Sequence, residues 1–279
     1  MKKIPWSRLY LAIVFILLYA PIFYLIFYSF NDSGTMNQFT GFTWDNYSAV
    51  FQDSRLLIIV LNTFMLAFLS GLLATVIGTF GAMAIYYTKA RATRNALLSL
   101  NNILLVSPDV IIGASFLIFF TMVGSLFRGF NLGFFSVLLS HIAFSIPIVV
   151  LMVLPKLREM NDSMVDAARD LGANNFQVVK NIILPFLSPG IIAGYFMAFT
   201  YSLDDFAVTF FVTGNGFSTL SVEIYSRARQ GISLEINALS TLVFLFSMIL
   251  VVGYYFISQE NISRRVRKNR RKSEVTDLQ

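Results

Sequence analysis

The chain has 279 residues, of which 56% are hydrophobic and 13% are charged, with a formal net charge of +6 and no cysteine. Soluble domains usually carry about 25% charged residues, so this composition and a mean hydropathy of +0.69 exclude disorder and argue strongly against an ordinary soluble enzyme. The lack of cysteine removes thiol catalysis, disulfides and thiolate metal sites.

Six apolar stretches are long enough to cross a bilayer, since a spanning helix needs roughly 20 mostly apolar residues. They cover residues 9–30, 56–87, 97–127, 132–154, 182–212 and 236–257. The first resembles a signal peptide, but it is too long for a signal-peptide core and lacks a small-residue cleavage site. We therefore predict an all-α membrane protein with six transmembrane helices in one domain, residues 1–258, followed by a basic tail at 259–279.

The distribution of basic residues predicts the orientation of these spans. With both termini in the cytoplasm, all but four of the 21 Lys and Arg residues fall inside, the exceptions being Arg55, Arg128, Arg227 and Arg229. This is the bias that the positive-inside rule describes. The densest basic run, residues 264–272, directly follows the last span, where contact with anionic lipid is favoured over nucleic acid.

Two features inside the spans indicate packing rather than chemistry. Ser70, Ala74, Gly78 and Ala82 recur every four residues, so they form a strip of small side chains that allows another helix to approach closely. His141 is the only histidine, and no cysteine or second histidine could complete a metal site with it. We expect His141 to form hydrogen bonds between packed helices.

The loop between the fourth and fifth spans, residues 156–185, contains a predicted short helix. Ser163 followed by Asp166 fits a capping box at its start, and Gly172 is well placed to end it in the left-handed conformation. Met164, Ala168 and Leu171 fall on one face of this helix.

A second short helix is predicted after Gly172, with Phe176, Val179 and Ile183 on one side, and Pro185 is expected where the chain turns into the fifth span. The apolar face of the two helices fits either a helix lying in the lipid headgroups or an element that docks onto a cytoplasmic partner. The pattern alone favours neither.

The spacing of seven residues in this loop resembles the "EAA" signature, EAA-x3-G-x9-I-x-L-P, of permease subunits of bacterial ABC importers. The matching positions are Asp166, Ala167, Ala168, Gly172, Ile182, Leu184 and Pro185, with Asp166 in place of the usual glutamate. The resemblance implies a type I ABC importer permease fold in which this segment is a coupling helix seated on an ATPase subunit. It also implies that ATP and Mg are bound by that separate ATPase, with no cofactor in this chain.

Three acidic residues lie within the predicted spans: Asp109 in the third, and Asp204 and Asp205 in the fifth. An aspartate at the centre of a bilayer is unfavourable by roughly 2.5–3.5 kcal/mol, so such residues usually face a watery cavity and serve function. Protonation of one aspartate or capping of a broken helix would be structural alternatives. Neighbouring helical positions point about 100° apart, so we expect at least one of Asp204 and Asp205 to line the pathway.

A cationic substrate fits this acidic pathway. Tyr195, Phe199, Tyr201 and Phe206 share the fifth predicted span with the aspartates, and aromatic faces attract ammonium groups, although such rings are also ordinary packing residues. Of these rings we assign Tyr201 to the substrate pathway. Acidic residues without basic partners disfavour anions and favour a flexible, multiply charged amine.

Four further segments resemble permeases of spermidine/putrescine importers. They are residues 108–113, 201–205, 211–214 and 235–240. This resemblance implies a pore-forming subunit for polyamines whose partners are a paralogous permease, two copies of an ATPase and an extracytoplasmic polyamine-binding protein. The alternatives are an importer permease for another small cationic or neutral solute, or an ATPase-independent secondary transporter, which leaves the loop signature unexplained.

Overall fold

The computed structural model describes residues 6–126, 130–231, 233–249 and 252, and within these ranges the regular secondary structure is helical, with one isolated bridge between Asn31 and Phe42. The helices are α1 (Trp6–Tyr28), α2 (Asp45–Gln52), α3 (Ser54–Tyr87), α4 (Arg91–Val106), α5 (Asp109–Leu126), α6 (Phe134–Glu159), α7 (Asp162–Asp170), α8 (Asn175–Val178), α9 (Leu184–Asp204), α10 (Ala207–Val212), α11 (Leu220–Gln230) and α12 (Leu234–Ile249). Residues Val179–Ile183 form a π-helical turn between α8 and α9.

Five helical segments of the described chain are long and apolar enough to cross a membrane: Arg8–Tyr28, Ser54–Tyr87, Asp109–Leu126, Phe134–Glu159 and Asn175–Asp204. The prediction of an all-α membrane protein is therefore confirmed. Helix α12 is apolar but shorter, and it covers part of the sixth predicted span. The C-terminal end of that span and the basic tail at 259–279 lie outside the described residues, so the count of six spans stays a prediction.

The third predicted span, residues 97–127, is divided between two helices in the structure. Helix α4 ends at Val106, Ser107 is extended with ψ at 138°, and α5 begins at Asp109. Pro108 explains the break, because proline has no N–H to donate and disfavours the helical conformation in the residue before it. Asp109 is consequently the first residue of a helix rather than an interior one.

The chain divides into two compact units, Arg55–Ser226 and Met1–Ser54 with Arg227–Gln279. In the latter unit, the buried side chain of Asn31 organises the loop after α1. Its amide nitrogen donates to the backbone carbonyls of Thr35 and Gln38, at 2.8 and 2.7 Å, and its oxygen accepts the N–H of Thr40 at 3.0 Å.

The predicted strip of small residues on α3 is a packing surface in the Arg55–Ser226 unit. Ser70, Ala74, Gly78 and Ala82 are all buried. A methyl group added at Gly78 would lie 2.7 Å from Cβ of Val149 on α6, closer than atoms can approach. The strip therefore lets α3 and α6 pack with their backbones close together, as the sequence predicted.

Candidate functional site: a broken helix and a cytoplasmic loop

The fifth predicted span is broken at the acidic pair. The chain is helical without interruption from Asn175 to Asp204, Asp205 is extended with ψ at 124°, and α10 begins at Ala207. The fifth predicted span, residues 182–212, therefore contains a break, one of the alternatives that its sequence left open. By the helical rise, Asp204 lies about 44 Å along the helix from Asn175, far from the loop between the fourth and fifth predicted spans.

Asp205 uses its carboxylate to cap α10. Oδ1 accepts the backbone N–H of Val208 at 3.2 Å, while Oδ2 accepts the N–H and the hydroxyl of Thr209 at 2.8 and 2.7 Å. A carboxylate satisfies the free amide groups at a helix N-terminus and interacts favourably with the helix dipole there. Of the two structural alternatives raised by the sequence, the structure thus shows capping of a broken helix.

The backbone of Asp205 is held as well. Its carbonyl oxygen accepts a hydrogen bond from the hydroxyl of Ser221 at 2.6 Å, and its side chain is 6% exposed. The side chain and the backbone carbonyl of Asp205 therefore both form hydrogen bonds within the protein.

His141 connects the break to the centre of the helix bundle. The imidazole is completely buried; its Nδ1 lies 2.7 Å from Oγ of Ser202 on α9, and its Nε2 lies 2.8 Å from Oγ1 of Thr209 on α10. Nε2 also lies 3.4 Å from Oδ2 of Asp205. The expectation that His141 forms hydrogen bonds between packed helices is confirmed.

The network continues from Ser202 to Ser70, whose hydroxyl groups are 2.8 Å apart and fully or almost fully buried. One connected set of side chains therefore joins α3, α6, α9 and α10. Neither Ser202 nor Thr209 was predicted from the sequence as a member of this set.

Asp109 and Tyr201 meet at the exposed side of the same region. The hydroxyl of Tyr201 donates to Oδ1 of Asp109 at 2.9 Å, which joins α9 to the first residue of α5. Phe144 packs edge-on against Tyr201, with ring centroids 5.0 Å apart, and lies 4.8 Å from the imidazole of His141. The aromatic contacts thus link the exposed pair to the buried network.

Asp204 differs from Asp205 in both exposure and hydrogen bonding. Its side chain is exposed and has no hydrogen bond or ion pair within the described part of the chain. It lies three residues after Tyr201, a spacing that places two side chains on one face of a helix. An unpaired carboxylate therefore lies on the same helix face as the tyrosine that contacts Asp109.

The other aromatic residues of this span are used for packing. Tyr195 stacks on Phe199 with centroids 6.2 Å apart, and Phe206 packs against Tyr225 at 4.5 Å. Of the four rings considered from the sequence, Tyr201 is the one with a hydrogen bond to an acidic side chain in the described structure.

Arginines predicted on the extracytoplasmic side form ion pairs with other acidic residues. Arg55 lies 3.3 Å from Glu223, and Arg227 lies 3.0 Å from Asp53 and 3.6 Å from Glu235. No ion pair among the described residues involves Asp109 or Asp204. Within the described part of the chain, the carboxylates of Asp109 and Asp204 therefore have no positively charged partner.

The loop between the fourth and fifth predicted spans begins differently from the prediction. Helix α7 starts at Asp162, and its cap is Asn161, whose side chain accepts the N–H of Ser163 at 3.0 Å. The capping box of Ser163 with Asp166 is therefore wrong. Asparagine is among the strongest N-cap residues, so it takes the position two residues earlier and leaves Asp166 exposed.

Gly172 ends α7 as predicted. Its φ of +84° is in the left-handed region, its N–H bonds to the carbonyl of Arg169 at 2.8 Å, and the N–H of Ala173 bonds to the carbonyl of Ala168 at 3.0 Å. These two bonds define a Schellman motif, which satisfies the last carbonyls of a helix and favours glycine at this position.

The second predicted short helix is instead the first part of the fifth long helix. Helix α8, capped by Asn174, continues through the π-helical turn Val179–Ile183 into α9, and Pro185 is the second residue of α9. The expected turn at Pro185 is therefore absent. Proline normally clashes with the carbonyl four residues earlier, and the wider π-helical turn directly before it lets the helix continue.

The predicted apolar face of the loop is also corrected. Val165 and Val178 are buried against the core, and Ala168 packs beside them. Met164, Leu171 and Phe176, which we call the cytoplasmic apolar surface, are exposed, with Leu171 at 89% and Phe176 at 72%. Helix α7 begins at Asp162 and buries Val165 against the core. With Val165 facing inward, Met164 and Leu171 face outward.

The remaining signature residues divide between core and surface. Asp166 and Ala167 are exposed on α7, while Ile182 and Leu184 are half-buried around the buried Ile183. The seven signature positions thus lie along the segment from α7 into the start of α9, with Asp166 and Ala167 exposed and Ala168 packed against the core.

The fold is that of ABC importer permeases. The chain superposes on a chain of a bacterial ABC transporter involved in the import of the acidic polysaccharide alginate, with a TM-score of 0.73 at 18% identity, over 91% of this chain and 94% of the other. It also superposes on a chain of the MetNI methionine ABC transporter in inward-facing conformations, with a TM-score of 0.59 at 20% identity, over 73% and 97% of the two chains.

The sequence matches the family model "Binding-protein-dependent transport system inner membrane component" over residues 74–268. It is 33% identical to the spermidine/putrescine transport system permease protein PotC of Haemophilus influenzae, over 94% of this chain and 99% of the relative. It is 35% identical to PotC of Escherichia coli strain K12, over 90% and 93%, and 33% identical to the putrescine transport system permease protein PotI of that strain, over 90% and 89%. The chain belongs to this family of multi-pass membrane transport subunits.

Proposed function

We propose that this chain is a pore-forming permease subunit of an ATP-driven importer that moves polyamines into the cell. The relatives named above act on spermidine and putrescine, and both are polyamines that carry several ammonium groups. The observation that carries the proposal is the exposed, unpaired carboxylate of Asp204 beside the Tyr201–Asp109 pair. These groups would attract a flexible polycation.

The substrate pathway is proposed to run past Asp109, Tyr201 and Asp204. The two exposed carboxylates supply charge, and the Tyr201 ring offers a face for an ammonium group. Asp205 takes part indirectly, since its oxygens already accept three hydrogen bonds from Val208 and Thr209 and Oδ2 lies 3.4 Å from Nε2 of His141. A weak site of this kind suits a pathway, because tight binding inside a permease would slow release.

The cytoplasmic loop is proposed to couple this pathway to ATP hydrolysis in a separate subunit. The cytoplasmic apolar surface of Met164, Leu171 and Phe176 stands on α7 and α8, beside the exposed Asp166 and Ala167. An apolar patch rimmed by charges is typical of a docking surface. Two ATPase subunits would bind ATP and Mg, and their closure would push on these helices.

The complete importer is proposed to contain a paralogous permease and an extracytoplasmic polyamine-binding protein as well. The distribution of Lys and Arg supports a cell-membrane location with both termini in the cytoplasm and anionic lipid around the basic tail. No nucleic acid is expected as a partner.

Two measurements test this proposal. Affinity purification from native membranes in mild detergent should recover a second permease and an ATPase, and cells lacking other polyamine uptake should accumulate labelled spermidine or putrescine when the four genes are expressed. A stable homo-oligomer without an ATPase would contradict the importer class. An assembled importer that takes up a different solute but no polyamine would contradict the substrate alone.

The docking surface is tested by substitution. Leu171→Ala and Phe176→Ala should reduce the amount of ATPase that purifies with the permease, since both remove exposed apolar side chains from the proposed contact. Leu17→Ala, an equally exposed apolar change on α1, is the control and should leave recovery of the ATPase unchanged. Equal recovery with all three variants would show that the ATPase docks elsewhere.

A further inference from the structure

We propose that His141 is a positioning residue for transport, which holds the break between α9 and α10 so that the Asp204 carboxylate faces the substrate pathway. This inference rests on the proposed function, because it assigns His141 a role through a pathway residue. The contacts that carry it are the two hydrogen bonds of the buried imidazole, to Ser202 before the break and to Thr209 after it.

Counting the donors and acceptors in the network assigns a direction to the bond between Thr209 and His141. The hydroxyl of Thr209 has one hydrogen, and it donates this hydrogen to Oδ2 of Asp205 at 2.7 Å. Its oxygen must therefore accept from Nε2 of His141, 2.8 Å away, so Nε2 carries a proton. The second ring nitrogen is satisfied by Ser202, so that both sides of the imidazole are used.

The imidazole thus links the two helices on either side of the break. Asp204 is the last residue of α9 and Asp205 is extended, so the acidic pair lies where the helical hydrogen bonding of α9 stops. Ser202 is two residues before Asp204, and Thr209 is four residues after Asp205. With His141 in place, both flanks of the acidic pair are fixed to α6, and a buried, fully satisfied network of this kind specifies one arrangement.

Substitutions distinguish the two halves of the imidazole. In His141→Gln the side-chain amide nitrogen takes the position of Nε2, so a donor to Thr209 is kept. In His141→Asn the amide nitrogen takes the position of Nδ1, so the side chain reaches Ser202 but not Thr209. We expect His141→Asn to lower the maximal rate of polyamine uptake per assembled importer by roughly 100-fold, the loss that a misplacement of about 1 Å can cause at an aligned site. His141→Gln should restore a large part of that rate.

Ser140→Ala is the matched control. Ser140 is the neighbouring residue on α6 and equally buried, but its hydroxyl bonds to the carbonyl of Ser136 in its own helix at 2.9 Å. This variant should assemble and transport like the unchanged protein. The amount of assembled importer in each preparation, measured by co-purification of the partner subunits, separates transport rate from folding.

A double-mutant cycle with Asp204→Asn provides the decisive measurement. If His141 acts through Asp204, His141→Asn combined with Asp204→Asn should transport at the rate of Asp204→Asn alone, because the second change removes what the first would misplace. The inference would be overturned if the fold-reductions in rate of the two single variants multiplied in the double variant, or if His141→Asn and His141→Gln had equal rates. Neither result would contradict the proposed polyamine pathway. Normal uptake by Asp204→Asn would overturn the pathway role and the inference together.

Discussion

Tyr201 donates a 2.9 Å hydrogen bond to Asp109, and this bond joins two helices at residues 92 positions apart in sequence. Both partners lie next to breaks: Asp109 follows Pro108 at the start of α5, and Tyr201 comes three residues before the end of α9. A break leaves backbone groups without helical hydrogen-bond partners. Within a membrane such groups are tolerated only inside the protein or beside a water-filled cavity. The polar groups of the proposed pathway therefore collect where helices are interrupted.

Removal of the Tyr201 hydroxyl tests this relationship. Tyr201→Phe keeps the ring and its edge-on contact with Phe144 but leaves Asp109 without its donor. Because hydrogen bonds to charged groups contribute about 1.5–3 kcal/mol and this one is exposed, we expect polyamine uptake to fall several-fold without loss of assembled importer. Unchanged uptake kinetics at normal assembly would show that the hydroxyl has no part in transport.

The Asp204 carboxylate is expected to act as a charge in the pathway. Asp204→Asn removes that charge without changing the side-chain volume, so the maximal rate of spermidine uptake should fall by an order of magnitude or so, while assembly is retained. The apparent KM should change little, since an extracytoplasmic binding protein would set it. Asp45→Asn, an exposed aspartate on α2, is the control, and an equal loss in both variants would contradict a specific role.

Asp205→Asn should behave differently from Asp204→Asn. The asparagine side chain retains one acceptor for the end of α10 but loses the charge that interacts with the helix N-terminus and faces His141. We expect lower thermal stability of the purified importer, alongside lower uptake. Thermal unfolding followed in detergent checks this; a drop in uptake with no change in the unfolding temperature would place Asp205 with Asp204 in the pathway.

Gly172 is expected to decide whether the cytoplasmic loop transmits force. Gly172→Pro cannot adopt the φ of +84° found here, because proline is locked near −65°. Transport should stop while the spans remain inserted. Gly172→Asn is the matched control, since asparagine is the next most tolerant residue in the left-handed conformation, and it should keep most activity. ATP-driven uptake at the normal rate by the proline variant would exclude this segment as the coupler.

The packing of α3 on α6 predicts a difference between two nearby glycines. A methyl group at Gly78 would lie 2.7 Å from Val149, whereas one at Gly81 would lie 3.8 Å from Val150, an ordinary contact. Overpacking typically costs about 1–3 kcal/mol, so Gly78→Ala should lower the unfolding temperature of the purified importer and Gly81→Ala should not. Equal unfolding temperatures would show that the two helices can separate without cost.

Local patterns predicted those features that depend on neighbouring residues. The left-handed glycine at 172, the small-residue strip of α3 and the hydrogen-bonded state of His141 all follow from residue type and spacing. The errors lie where two local signals compete. Asn161 took the cap expected of Ser163, Pro108 divided a stretch whose hydropathy suggested one span, and a π-helical turn carried the chain past Pro185.

The sequence by itself determined the class of protein. The lengths of the apolar stretches and the placement of Lys and Arg reflect how each segment interacts with the bilayer, so they can be read without knowing which helices touch. It also determined the coupling-loop signature, since seven spaced residues lie within one segment. Only the tertiary structure separated Asp204 from Asp205. Two adjacent carboxylates look alike in sequence, whereas in the structure the Asp205 carboxylate accepts hydrogen bonds from Val208 and Thr209 of the next helix and lies 3.4 Å from Nε2 of His141 on α6. Which carboxylate remains available for a ligand is therefore decided by where the helix breaks and by how that break packs against α6.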